Sequence, residues 1–215
     1  MAALRLTSLN VGLPADFTGA EPWTSGIYKT PVAGRILLSP DGLAGDGQAD
    51  PTAHGGSDKA LCVYSVDHYP FWREELGVPE CGPGWFGENL SIEGLTEMQA
   101  SLGDTFSIGA AVVQISQPRA PCWKLGRRWS RLDMPKRVVQ SGRTGWYLRV
   151  LQTGGVERGD VLTLVDRPHP RWTIDAVNAV AYTREGVVDR DAARELASCP
   201  ALADAWRGKI RKLVE

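Results

Sequence analysis

One thiol stands in the run Ser116-Gln117-Pro118-Arg119-Ala120-Pro121-Cys122-Trp123-Lys124, between two cations and beside an aromatic ring. The thiolate, not the thiol, attacks electrophiles and binds soft metals, and neighbouring Arg119 and Lys124 favour that ionised form electrostatically. Cys122 is therefore a candidate ligand or nucleophile. A free cysteine beside a tryptophan also serves as a small buried hydrophobe, so the local sequence leaves both readings open. Pro118 and Pro121 have fixed φ and no amide donor, which stops the apolar strand at 111–117 from continuing as an interior ladder strand. The thiol is expected on a rigid loop at a strand end.

The stretch 41–59 packs glycines among acidic, amide, imidazole and ammonium groups. Glycines let backbone amides approach an anion closely, and Lys59 and His54 add charge or hydrogen bonds to a phosphate; alternatively the glycines are turn residues and the polar groups are solvated. Asp46 lies in the same loop. His54, His68 and His169 are the only histidines, too few and too scattered for a histidine metal cage. Lys29 and Arg35 sit on or beside an early strand, as ligands or as solvated cations. In the second glycine-rich turn, 82–90, Glu88 reads as a general acid or base, or as a cap, next to Asn89. The segment 141–150 reads as a strand with outward cations.

These residues need elements to hold them. Short apolar runs separated by glycine and proline turns predict strands over 5–11, 33–38, 59–64, 89–92, 105–108, 111–117 and 161–165, hence a mainly β sandwich or barrel. Helices are expected over 66–76, with Pro70 in its first turn, and over 130–141. The alternating prolines of Arg167-Pro168-His169-Pro170 favour extended geometry and read as a linker, dividing the chain into domains at 1–170 and 171–215. Beyond it the period becomes helical: 173–183, then a helix capped by Asp189, then one opening at Pro200 and running through Trp206, Ile210 and Leu213.

Composition narrows the partners. With 43% hydrophobic residues, 23% charged residues and a formal net charge of -1, the 215-residue chain has no bulk electrostatic drive toward nucleic acid or anionic membrane. A basic run near the end, Arg207, Lys209, Arg211 and Lys212, is read as a solvated face. Cys62, Cys81, Cys122 and Cys199 form no Cys-x-x-Cys pair, which argues against a structural zinc site. No signal-peptide-length or membrane-length apolar run is evident, so a cytoplasmic protein with reduced thiols is expected.

Taken together, the Gly-Asp-x-Gln-Ala-Asp run at 45–50, His54-Gly55-Gly56-Ser57-Asp58-Lys59-Ala60, Gly87-Glu88-Asn89-Leu90, Gln117-Pro118-Arg119-Ala120-Pro121-Cys122 and Gly145-Trp146 resemble the MOSC domain, in its YiiM-like branch. The resemblance implies a MOSC-type β-barrel followed by a small three-helix C-terminal (3-alpha) domain. It implies molybdenum cofactor, molybdopterin-bound molybdenum, with Cys122 matching the thiolate that ligates the metal. It further implies reduction of N-hydroxylated nucleobases such as 6-hydroxylaminopurine, and of related N-hydroxylated compounds, independent of pyridoxal phosphate. Electrons would come from a separate, flavoprotein-type reductase, since the chain shows no flavin or nicotinamide motif. Carried by motif, Arg119 leads the cofactor contacts, with Gln117, Lys59, Asn89, Lys29, Arg35 and Asp46 lining the pocket, and Glu88 or His54 relaying protons. A homodimer is compatible with the resemblance. The other reading is a carrier of molybdenum cofactor or sulfur without turnover of its own.

Overall fold

Alternating apolar residues make the first strand, and a bulge between Leu6 and Ser8 shifts the alternation so that Leu6 and Leu9 both reach the core. The computed structural model describes residues 3–19, 21–183 and 187–215. Following the chain, β1 (Leu4–Val11) is succeeded by β2 (Ala15–Phe17), β3 (Trp23–Ser25), β4 (Thr30–Val32), β5 (Ile36–Ser39) and β6 (Gly42–Leu43). Helix α1 (Pro51–His54) precedes β7 (Leu61–Ser65), and α2 (Tyr69–Leu76) precedes β8 (Leu90–Glu93), β9 (Thr105–Ile108) and β10 (Ala111–Pro118). Next come α3 (Trp123–Trp129), α4 (Met134–Ser141), β11 (Trp146–Gln152), β12 (Gly154–Val156) and β13 (Val161–Asp166). The chain ends in α5 (Ile174–Ala181), α6 (Arg190–Ser198) and α7 (Asp204–Arg211).

Seven strands close on themselves in the order β1, β13, β9, β10, β11, β7, β8 and back to β1. Within this ring every strand has a hydrogen-bonded neighbour on both sides, while β4 pairs along the outside of β1. All neighbours are antiparallel except β7 and β8, whose parallel connection runs through α2. The interior is filled by Leu6, Leu61, Val63, Phe106, Val113 and Leu148, all at or below 1% exposure. A second apolar cluster, with Tyr64, Trp72, Phe86, Met134 and Val138, packs α2 and α4 against the outside of the wall.

The expected barrel and the three C-terminal helices are present, and Pro70 lies in the first turn of α2. Four local differences have physical causes. The strand expected from 33 starts at Ile36, because Gly34 adopts φ +81° in a turn. The helix expected from 130 starts at Met134; Ser130 instead closes α3 in the left-handed conformation at φ 51°. Helix α3 was not anticipated: the prolines restrict only the residues up to Pro121, and helix begins directly after Cys122. The last helix opens at Asp204 rather than Pro200, since the Ala203 amide is drawn to the Ser116 carbonyl at 2.9–3.0 Å typical geometry, here 3.0 Å.

Residues 167–170 bend at Pro168 and turn from Pro170 rather than running extended, and they are not a free tether. Arg167 donates to both oxygens of Asp104, at 2.8 and 2.6 Å, and that carboxylate is wholly buried. Trp172, Ile174, Val177, Leu196, Trp206 and Ile210 join the same apolar cluster as the barrel interior. Barrel and helices thus share one core. Thr173 and Asp189 cap α5 and α6 by accepting from the Ala176 and Ala192 amides at 3.1 and 2.9 Å. No helix of the described residues is long and apolar enough to cross a membrane.

Candidate functional site

Because Leu61 and Val63 point into the barrel, Cys62 between them points out; Tyr147, between inward Trp146 and Leu148, does the same, and the two lie opposite each other in register. They form the floor of a cleft on the outside of the barrel wall. A bulge in β10 between Ile115 and Gln117 re-aims the strand's end, and Arg119, Ala120 and Cys122 form one side. Residues 25–27 with Lys29, the Gly47–Ala49 stretch, and His54 with Lys59 form the others, around a cleft that opens to solvent. Gly87 lines the cleft at φ +74°, and a Cβ there would fall 2.8 Å from Ile27 Cγ1, so neither the conformation nor the space admits a side chain.

Cys122 is half-buried at the N-cap of α3. Burial, the largest single effect, pushes its thiol up, but hydrogen bonding and charge from His54 together with the Arg119 guanidinium outweigh it, and the pKa falls to about 7. The other cleft thiol behaves oppositely: burial drives Cys62 up to about 11 despite Arg119. At neutral pH the cleft holds one substantially ionised sulfur and one thiol. Burial also raises the pKa of Tyr147, keeping its phenol protonated.

Arg119 is fixed from both ends. Its amide donates to the Gly145 carbonyl at 3.1 Å and Nη2 donates to the Phe86 carbonyl at 2.5 Å, while the buried Nη1 has no partner among the described residues. A permanently charged group with an orphaned donor in a cleft is a receptor for an anion or carbonyl. Lys59 also lines the cleft, its Nζ donating to the Ala53 carbonyl at 2.8 Å with donors to spare.

Other expected residues brace the site. The Lys29 ammonium pairs with Asp46, whose carboxylate accepts from the Gly12 amide at 2.8 Å and from Asn89 Nδ2 at 2.7 Å. Asn89 in turn accepts from the Cys62 amide at 3.0 Å. Lys29 and Asn89 reach the cleft, but Asp46 holds them from behind. Gln117 is buried beneath, its Nε2 donating to the Pro118 carbonyl at 3.4 Å and its Oε1 without a partner among the described residues, and does not line the cleft.

Four expectations are corrected: Asp46 and Gln117 do not line the cleft, and neither do Glu88 and Arg35. Glu88 is fully buried and accepts from the Gly84 amide at 2.6 Å, the Phe86 amide at 3.0 Å, the Ser91 hydroxyl at 2.9 Å and the Tyr69 hydroxyl. With its oxygens engaged and no face on the cleft, it organises the 82–89 turn. Arg35 is exposed, pairs with Glu157 and lies along Gly155, away from the cleft. Cys62, Tyr147 and the 25–27 wall were missed. Strand alternation around Leu61, Val63, Trp146 and Leu148 was the signal for the first two; the wall at 25–27 has no comparable pattern.

Matches to known families fall on these same parts. The MOSC domain matches residues 50–163, which hold His54, Cys62, Arg119, Cys122 and Tyr147, and the YiiM-like, 3-alpha helix domain matches residues 172–215. The chain belongs to the MOSC family. Among its relatives, the uncharacterized protein YflK of Bacillus subtilis is 41% identical over 207 residues, covering 95% of this chain and 92% of YflK. A Gibberella moniliformis protein named Reductase is 38% identical over 165 residues, 75% of this chain but 29% of the fungal protein. The crystal structure of YiiM from Geobacillus stearothermophilus superposes with a TM-score of 0.83 at 37% identity, covering 99% of this chain and 100% of that one. In this MOSC barrel, among the described residues, no three His, Cys, Asp or Glu side chains converge to hold a bare metal ion. The MOSC cleft offers a metal one thiolate, with cations and backbone for a larger group around it.

Proposed function

We propose that this MOSC protein is a molybdenum-cofactor-dependent reductase of N-hydroxylated nucleobases and related N-hydroxylated compounds, supplied with electrons by a separate flavoprotein reductase. The observation that carries the reading is the pairing of Cys122, whose pKa is drawn down to about 7, with the orphaned Nη1 of Arg119 in one open cleft. A soft thiolate suits a redox-active molybdenum centre, and a fixed guanidinium suits the phosphate or the polar edge of a pterin. The residues present therefore fit the group. Family membership and the fungal relative named Reductase support an oxidoreductase role.

Cys122 would ligate the metal, and Arg119 and Lys59 would hold the anionic part; Gly26 packs its backbone against Gly47, where a Cβ would lie 2.4 Å from the Gly47 carbonyl oxygen, and so closes that wall of the cleft. When bound, the cofactor supplies two-electron redox chemistry. The overall change, R–NH–OH + 2e⁻ + 2H⁺ → R–NH₂ + H₂O, needs protons at the departing hydroxyl. His54, which lines the cleft with Cys122, would hold one, whereas Glu88 does not line the cleft. The buried Lys29–Asp46 pair keeps the wall behind Asn89 rigid without adding net charge.

Turnover tests the reading. Protein isolated from a host that makes the cofactor, given a flavoprotein reductase or a chemical reductant, is expected to convert 6-hydroxylaminopurine to adenine. Failure to turn over any N-hydroxylated compound, together with transfer of cofactor or sulfur to an acceptor enzyme, would establish the carrier role instead.

A further inference from the structure

Beyond Pro118, the last bond tying the cysteine loop's backbone to the barrel before α3, among the described residues, runs from the Arg119 amide to the Gly145 carbonyl at 3.1 Å. The placing of Gly145 therefore sets the placing of the cleft's orphaned guanidinium. Gly145 has little freedom of its own: it adopts φ +73°, and a Cβ there would fall 2.4 Å from the Val63 carbonyl oxygen. Its amide donates to Glu97 Oε1 at 2.7 Å, and the other oxygen of that buried carboxylate meets His68 Nε2 at 2.6 Å. Its carbonyl accepts a second bond, from the Thr144 hydroxyl at 3.0 Å. The C-terminal helices reach both supports. Asn178 of α5 donates through Nδ2 to the Thr144 hydroxyl oxygen at 2.9 Å, and the Asp175 amide donates to the Glu97 backbone carbonyl at 3.0 Å.

Stability alone does not account for the contact between Asn178 and Thr144. Both residues are buried, and Asn178 Oδ1 has no partner among the described residues. A buried amide with an unsatisfied oxygen is worse for folding than an apolar side chain of the same shape, so what the contact contributes is direction. By donating to the Thr144 oxygen, Asn178 leaves the hydroxyl proton to point at the Gly145 carbonyl. We infer that the C-terminal helices hold the cleft's anion receptor in place: Asn178 and Glu97 are positioning residues that act on Arg119 through Thr144 and Gly145. The inference rests on the reading of Arg119 as a cofactor contact. The guanidinium is otherwise pinned at the Phe86 carbonyl, so a turned Gly145 peptide pulls the backbone of Arg119 against a fixed head. The helices thereby take part in the site although none of their residues lines the cleft.

The test is a double-mutant cycle on the full chain, read two ways: calorimetric affinity for inorganic phosphate without cofactor, and molybdenum per chain after purification from a host that makes the cofactor. Asn178→Leu and Glu97→Ala should each weaken phosphate binding by about two- to thirtyfold. Glu97→Gln keeps an acceptor for the Gly145 amide and should restore most of the affinity. In an Arg119→Ala background Asn178→Leu should add no further loss, which a general loosening of the fold would not produce. Asn178→Leu replaces the amide by an apolar group of similar volume, and Thr144→Val tests the same bond from its other side. Both should melt near the wild type while binding phosphate more weakly. Additive losses in the cycle, or unaltered phosphate affinity in Asn178→Leu and Thr144→Val, would overturn the inference. Wild type binding phosphate no more tightly than Arg119→Ala would overturn it too, since Arg119 would then be no anion receptor. Molybdenum absent from every preparation, with the phosphate cycle as expected, would support the positioning role and remove the cofactor reading. Molybdenum retained equally by wild type and Asn178→Leu, at unaltered phosphate affinity, would keep the reading and remove the positioning role.

Discussion

Burial by itself would leave Cys122 an inert thiol, as it does Cys62 and Cys81, which are driven up to about 11 and about 12. What separates Cys122 is its company: the His54 imidazole and the Arg119 guanidinium favour the anion by more than burial disfavours it. The sign of the pH dependence follows. Above about 7 the sulfur is mostly thiolate and reactive; below it the proton returns and reactivity falls. Iodoacetamide labelling of the protein without cofactor, followed by mass spectrometry at Cys122, should show an inflection near pH 7, and His54→Ala should move it up toward the ordinary 9.0. An inflection unmoved by removal of His54 would show that the imidazole does not tune the sulfur. A different buried residue bears on stability. Asp46 balances the Lys29 ammonium, and both side chains are under 10% exposed; Asp46→Ala strands that charge and should cost about 3–5 kcal/mol in chemical denaturation.

At the scale of elements, the 82–89 turn depends on Glu88 more than on its glycines alone. Glu88→Ala would leave two backbone amides and two hydroxyls without their acceptor, and a loss of roughly 3 kcal/mol or more in unfolding free energy is expected. Glu88→Gln retains part of the network and should fall between. If Glu88→Ala proved as stable as the parent while abolishing turnover, the residue would be chemical after all. The sequence made the strands of the barrel legible because apolar runs bounded by glycine and proline read the same in any context, and it placed Cys122, Arg119, His54 and Lys59 in one cleft through motif resemblance. It did not reveal α3, whose start depends on where the influence of Pro121 ends. Nor did it separate Glu88 from the reacting groups, because a carboxylate in a glycine-rich turn looks the same whether it faces a cleft or backbone amides. Arg35 and Lys29 looked equivalent as early-strand cations; only the fold shows Lys29 buried on the cleft and Arg35 on the surface with Glu157.

For the whole molecule, the C-terminal helices are part of the barrel's core and not an attachment. Trp206 and Ile210 share one cluster with Leu6 and Val113, and Arg149 of β11 donates to the Ala201 carbonyl at 3.0 Å. The basic run near the end is partly consumed by this packing: Arg207 donates to the Leu202 carbonyl at 2.8 Å and Lys209 lies 4.0 Å from the Tyr182 ring centroid. Trp206→Ala should cost about 3–5 kcal/mol, and circular dichroism of the β and helical signals should lose both in one transition; two separated transitions would show independent units. That single scaffold presents one low-pKa thiolate to its cleft, and on this rests the claim that the protein holds molybdenum cofactor. The most direct test is the molybdenum content per chain, by elemental mass spectrometry, of wild type and Cys122→Ser purified from a host that makes the cofactor. Near-stoichiometric metal in the wild type and its loss in Cys122→Ser is the expected result; undiminished metal in Cys122→Ser, or none in the wild type, would contradict it.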